Sequence, residues 1–236
     1  MGRRAEYQAE LAALDPAGWP GFLDERSGLP GPRANLELAQ AVADAGNAPL
    51  FDRLIATGDE YLTLCGVVGL GRLLAEDPDS APVALEKRLR EHASDDRWRV
   101  REAVAMALQR LGDADPSRLR AVVAGWSGWE DPLVLRAAVA AICEPRLLKV
   151  RETAAAALDA CATATDRLAA IPADRRRDDD VRTLRKALGY CWSVAVAADP
   201  VAGLPQFRAL SAATDADIVW IARENAKKTR LAKLLP

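Results

Sequence analysis

The chain has 236 residues, 50% of them hydrophobic and 28% charged, with aromatics only 5% and a formal charge of −2. That is ample for a packed core, it argues against a general polyanion binder, and the low aromatic share with abundant alanine suits closely packed helices. No uncharged apolar run approaches the roughly 18 residues of a membrane span. Met1-Gly2-Arg3-Arg4-Ala5-Glu6 lacks the apolar stretch of a secretory or twin-arginine signal, and Glu6 breaks the myristoylation pattern. Cys65, Cys143, Cys161 and Cys191 each sit inside an apolar helical run and are read as buried, reduced thiols of a cytoplasmic protein.

The periodicity predicts a first amphipathic helix over 4–14. Residues 15–32 carry Asp15-Pro16, Trp19-Pro20, Gly28, Leu29-Pro30 and Gly31-Pro32, a density of helix breakers that reads as an ordered but irregular loop, with Trp19 and Phe22 pinning it to the body. Helical pattern resumes at 34–45 and 49–56, separated by Gly46-Asn47. Paired helices then follow: 59–74; 81–93 with 96–111; 117–126 with 132–143; a long helix over 146–163; 181–197; and 201–210 with 215–234. The reading is one domain over 1–236, in which 1–33 is an N-terminal helix and Pro/Gly-rich loop and 34–236 holds helix pairs.

The stretch from Asp95 to Asp113 organises the rest. Val100, Val104, Ala107, Leu108 and Leu111 fall on one face of a 3.6-residue helix, with Asp95 or Asp96 placed to cap it and Gly112 to end it. Copies recur. Asp95 with Arg101 is matched by Glu130 with Arg136, Asp179 with Arg185 and Asp217 with Arg223, and Asp59 begins an earlier copy with Cys65 at the arginine position. The starts at 59, 95, 130, 179 and 217 are 36, 35, 49 and 38 residues apart, and the position ten after each acid is Gly69, Ala105, Ala140, Gly189 and Lys227. A period of this length made of helix pairs means a helical solenoid.

With Val100-Arg101-Glu102-Ala103, Leu135-Arg136-Ala137-Ala138 and Leu184-Arg185-Lys186-Ala187, the chain resembles the HEAT-repeat family. The resemblance covers roughly residues 34–235. It implies an all-α, right-handed superhelix of about six helix pairs, whose second helices line a concave side.

Most catalytic equipment is missing from the sequence. His92 is the single histidine, no CxxC or HxxxH spacing exists, and no phosphate-cradling glycine loop is present. No metal or cofactor is expected. The acid and arginine of each copy are read as a cap and a link that holds the stack in register. Trp98 and Trp220 lie off the apolar stripe, and with Arg97, Arg99, Arg182 and Lys186 they are the expected binding edge of the groove. Trp126-Ser127-Gly128-Trp129-Glu130-Asp131-Pro132 crowds two tryptophans and two carboxylates into one turn. It is similar in content to the inner face of the HEAT-like glycosylases that release alkylated bases, which would make Glu130 and Asp131 catalytic candidates and Trp126 and Trp129 binding residues; the plainer reading is two caps and two turn anchors.

Arg175–Asp180 reads as a self-compensated solvated loop, the basic run 227–233 as a helix end able to touch phosphate, and Tyr190, Cys191 and Trp192 as core. The expected function is a non-catalytic scaffold that binds a protein partner on its concave face. The alternatives are a DNA-binding protein of the alkylation-repair glycosylase type and a HEAT subunit that assists cofactor or bilin attachment in another protein.

Overall fold

The computed structural model describes residues 2–76 and 82–235, so Ala81, the predicted start of the helix over 81–93, lies outside the described residues. The fold class is all-α, a helix-pair repeat of the α-solenoid type. The helices are α1 (Arg3–Ala12), α2 (Trp19–Arg26), α3 (Leu36–Ala45), α4 (Ala48–Ala56), α5 (Glu60–Glu76), α6 (Pro82–Ala93), α7 (Trp98–Ala114), α8 (Pro116–Ser127), α9 (Pro132–Ile142), α10 (Arg151–Ala170), α11 (Asp179–Ala198), α12 (Pro200–Ser211), α13 (Ala216–Ala226) and α14 (Thr229–Ala232). In chain order, α2/α3 through α12/α13 make six pairs among the described residues.

Two compact units divide the chain, Met1–Leu111 and Gly112–Pro236. In the first, α1, α3 and α5 form a row, and α2, α4 and α6 lie against α5. In the second, α9, α11 and α13 form a row, α8 packs on α10, and α14 folds back on α11 and α13. The odd-numbered helices from α5 to α13 are the ones the repeated acids precede, so the alignment of copies picked out the second helix of each pair.

Caps account for those starts. Asp59 Oδ1 accepts from Leu62 N at 2.8 Å, Asp95 Oδ1 from Arg97 N at 2.9 Å, Asp131 Oδ1 from Leu133 N at 2.8 Å, and Asp215 Oδ1 from Asp217 N and Ile218 N at 2.9 and 3.2 Å. Asp178 stands at the cap position of α11 without a side-chain capping bond, its carboxylate accepting from Arg175 instead. The caps therefore stand at 59, 95, 131, 178 and 215, shifting three of the aligned acids by one or two residues and giving steps of 36, 36, 47 and 37. The arginines act as links of both expected kinds. Arg101 Nη1 donates back to the carbonyls of Asp95 and Asp96 at 2.6 and 2.9 Å, and Arg185 Nη1 donates to the Asp217 carboxylate of the next copy at 2.5 Å.

Three sequence readings change. The loop over 15–32 contains a 3-10 turn, Pro16–Gly18, and helix α2; Asp15 caps the turn at Ala17 N (2.8 Å), and Pro16 and Pro20 occupy first-turn positions whose N–H groups need no partner. What breaks helix there is Gly28, at φ 78, where a side chain would collide with the Arg33 carbonyl at 2.6 Å. Gly112 does not end α7, which runs on to Ala114; a Cβ at Gly112 would reach within 2.5 Å of Leu119, so this glycine serves packing. The last predicted helix is two, α13 and α14, parted at Lys227 and Lys228.

The predicted stripe of α7 is core: Val100, Val104, Ala107, Leu108 and Leu111 are wholly buried. All four cysteines are buried free thiols, with Cys143 Sγ 3.7 Å from Cys161 Sγ, and burial pushes the Cys65 thiol up. Where α5 meets α7 the backbones nearly touch, because a Cβ on Gly71 would run into the Ala107 backbone. Gly71→Ala is therefore expected to cost about 1–3 kcal/mol despite alanine's better helix propensity. Chemical denaturation of the variant checks this, and a stabilised variant would show that the two helices are free to part.

In the first unit, Asp44 is a hub. Its carboxylate accepts from Arg4 Nε and Nη2, Gln8 Nε2 and Arg110 Nη2, each at 2.6 Å. Burial acts to raise its pKa, but hydrogen bonds and charge from Arg4 and Arg110 outweigh burial and hold it below the ordinary 3.8. A folded-state value below the unfolded one means stability that is present above 3.8 and lost as pH falls through the folded value. Urea unfolding between about pH 6 and pH 3 is expected to show Asp44→Asn less stable than wild type near neutrality, with the gap narrowing as acid is added. Parallel curves would rule out this carboxylate as an acid-sensitive link.

Candidate functional site

The expected binding residues part into framework and surface. Arg97 donates from Nε and Nη2 to both oxygens of Asp95 (2.9 and 2.7 Å) and from Nη1 to the Gly58 carbonyl at 2.6 Å. Arg99 reaches Glu60 at 3.0 Å and the Gly31 carbonyl at 3.2 Å. Both thus tie the start of α7 to the loops beside α5, and the hydrogen bond from Arg97 is the leading reason that the Asp95 carboxyl lies below its ordinary value. Trp98, between them, is 50% exposed with the Arg99 guanidinium 4.4 Å from its ring centroid.

Trp220 belongs to the second unit and is half-buried there. Its ring fills the space over Gly189, where a Cβ would come within 2.9 Å, and Arg185 covers it at 4.8 Å. It is a packing residue between α11 and α13. Trp126 is fully buried, and Asp131 is engaged as the cap of α9, while Trp129 (44% exposed) and Glu130 face outward. No slot with a carboxylate between two tryptophans forms in this turn. Among the described residues no group of three His, Cys, Asp or Glu side chains is placed to hold a metal. His92 is half-buried on α6, and burial lowers its pKa.

What remains open is the outer face of α11. Val181, Leu184, Leu188, Cys191, Trp192 and Val196 are buried, whereas Arg182, Lys186 and Tyr190 are exposed at i, i+4 and i+8. Tyr190, read from the sequence as core because it stands beside Cys191 and Trp192, is 43% exposed. Its hydroxyl accepts from Arg230 Nη2 at 2.8 Å, with Arg230 4.8 Å and Lys228 5.7 Å from the ring centroid. The short helix α14 has thus brought the basic C-terminal run onto α11. Further along the same face lies a hollow of about 510 Å³ lined by Pro145, Leu148, Lys149, Val194, Ala197, Ala198 and Arg230.

This face is cationic with an apolar end. The acids near it are paired: Glu224 with Lys227 at 2.5 Å, Glu144 with Arg146 at 3.1 Å, and the exposed Asp179 with Arg182 of this face at 3.7 Å. The near-neutral total charge conceals an imbalance, since 1–111 carries 13 Lys and Arg against 18 Asp and Glu, and 112–236 carries 19 against 16. Sequence reasoning found Arg182 and Lys186 but missed Tyr190, Lys149, Lys228 and Arg230 as neighbours. The spacing of four from Lys186 to Tyr190 was the available signal; the approach of α14 and of the turn bearing Lys149 had none.

These features describe an all-α helix-pair repeat protein with one basic, aromatic and partly apolar helix face in its second unit. No family model matches the chain, and no curated protein matches it. Two engineered proteins solved by the Northeast Structural Genomics Consortium are similar in part. One is 17% identical, with 99% of this chain and 98% of the other covered and a TM-score of 0.38. The second is 15% identical over 86% of this chain and 96% of the other, with a TM-score of 0.31.

Proposed function

We propose that the protein is a non-catalytic interaction scaffold of the HEAT-like kind, and that its partner is a protein seated on the outer face of α11. The observation that carries this reading is the exposure pattern of that helix: a helix otherwise packed into the core leaves Arg182, Lys186 and Tyr190 uncovered in one line that leads to an apolar hollow. Exposed cations beside an apolar pocket are what protein interfaces use as anchors. The acid-arginine copies and their small packing residues support a repeat framework that presents surface. The glycosylase reading draws no support from Trp126, which is buried, or from Asp131, which caps α9.

Affinity capture from native lysate is expected to recover one dominant protein, and Arg182→Glu with Lys186→Glu is expected to abolish recovery while leaving the melting temperature unchanged. Undiminished recovery by that variant would remove α11 from the interface. Recovery abolished by Trp98→Ala alone would move it to the first unit.

A further inference from the structure

Resting on the scaffold reading, we infer that the face of α11 takes a short acidic segment of the partner in extended form, with an apolar side chain of that segment seated in the hollow beside Lys149 and Arg230. The charge argument comes first. Along the face stand Lys186, Lys228 and Arg230, with Arg182, paired to Asp179, at one end and Lys149 at the other, and no acidic side chain is among the described residues lining the hollow. Lys149 and Lys186 are exposed with no ion pair among the described residues, so a carboxylate arriving there breaks no existing link. Such a surface attracts an acidic segment over about a Debye length, roughly 10 Å at 0.1 M salt.

Size comes next. From Arg182 to Ala198 the helix rises about 24 Å at roughly 1.5 Å per residue, a span that about seven extended residues cover. The hollow lies at the end of this line, and Leu148, Val194, Ala197 and Ala198 give it an apolar wall while the cations stand at its rim. Carboxylates followed by one leucine or phenylalanine match that order of surfaces.

A nucleic acid matches it less well. A phosphate backbone has nothing to place against Leu148 and Val194, and its bases would need a free aromatic face. The ring of Tyr190 is already engaged by Arg230, which also binds its hydroxyl.

The probe is a fluorescein-labelled peptide of about eight residues, with glutamates followed by one leucine, titrated with the full chain by anisotropy. Binding is expected, weakening about tenfold when glutamines replace the glutamates and about fivefold when serine replaces the leucine. Lys149→Glu with Lys186→Glu is expected to weaken binding at least about tenfold at an unchanged melting temperature. Equal binding of the glutamine peptide, or indifference to the double substitution, would overturn the inference. So would tighter binding of a labelled DNA duplex, lost in the same variant, or self-association of the chain abolished by it; these would assign the face to nucleic acid or to a second copy. The lysate capture separates the two levels. Capture abolished by Arg182→Glu with Lys186→Glu, without peptide binding, keeps the scaffold and removes the acidic segment, whereas no captured protein at all removes the scaffold.

Discussion

Asn225→Leu is expected to lower the stability of the second unit by about 3 kcal/mol, the largest effect foreseen for a single polar side chain here. Asn225 is wholly buried on α13 and engages α11 at two points. Its Oδ1 accepts from Ser193 N at 2.7 Å, and its Nδ2 donates to the Leu188 carbonyl and to the Ile221 carbonyl of its own helix, both at 2.8 Å. Leucine fills the same volume but removes three hydrogen bonds in the buried interior, each worth about 0.5–1.5 kcal/mol. Thermal unfolding should move down by roughly 6–12 °C for that loss. Asn225→Asp sharpens the test. The carboxylate keeps the acceptor for Ser193 but meets the Leu188 carbonyl with another acceptor, so its pKa in the fold must rise. A raised folded value means that stability returns as pH falls through it, because the protonated acid can donate to Leu188. If Asn225→Leu melts within about 2 °C of wild type, α11 and α13 are not held together through this side chain.

This contact has no signature in the sequence, which shows why some of the protein was legible and some was not. The stripe from Val100 to Leu111 and the acids ahead of the second helices follow from local rules, helical periodicity and the need of first-turn N–H groups for an acceptor. Those rules tolerate a slip of one or two residues. Glu130 and Asp131, or Asp178, Asp179 and Asp180, offer several acceptors in a row, and spacing cannot say which one turns toward the helix. Prolines are ambiguous for a related reason. Pro16 and Pro20 stop a helix from arriving but also start one, so residues 15–32 hid α2.

The surroundings of the site residues are illegible where their partners are distant in sequence. Spacing places Arg97 and Arg99 at a binding edge, and it gives no sign of their bonds to the carbonyls of Gly58 and Gly31, 39 and 68 residues away. Trp220 sits off its own stripe, as its spacing says, yet Gly189 on α11 opens the slot that covers it. Tyr190 is the opposite case: its neighbours in sequence are core, and only its register with Arg182 and Lys186 marks it as surface. For a helix face, register is the better guide than composition, because exposure is decided one side chain at a time around the axis.

The charged run at 175–180 carries the second large prediction. Read from sequence as solvated and self-compensated, it does hold such pairs, with Arg175 on Asp178 at 3.1 Å and on Asp180 at 3.3 Å. Arg176 behaves differently. It donates to the carbonyls of Ile171 and Ala169 at 3.0 and 2.5 Å and to Asp215 and Asp217 at 2.5 and 3.3 Å, so it fastens the end of α10 to the cap of α13. Arg176→Met keeps much of the stem's packing while removing the cation from two carbonyls and from Asp215, with Asp217 left to Arg185, and about 2–3 kcal/mol is expected to be lost, short of a fully buried pair because these groups retain some solvent. Asp215 reports the same event. Burial pushes its pKa up, while Arg176 and the capped N–H groups of Ile218 and Asp217 outweigh burial and hold it below 3.8. Without Arg176 the carboxyl should titrate higher, and the part of the stability that wild type loses as pH falls through the folded Asp215 value should shrink. Carboxyl titration by NMR in both proteins, alongside urea unfolding, checks the two halves together. A variant with an unmoved Asp215 titration and wild-type stability would make Arg176 a surface charge like its neighbours, and the attachment of α10 to α13 would have to rest on apolar packing alone.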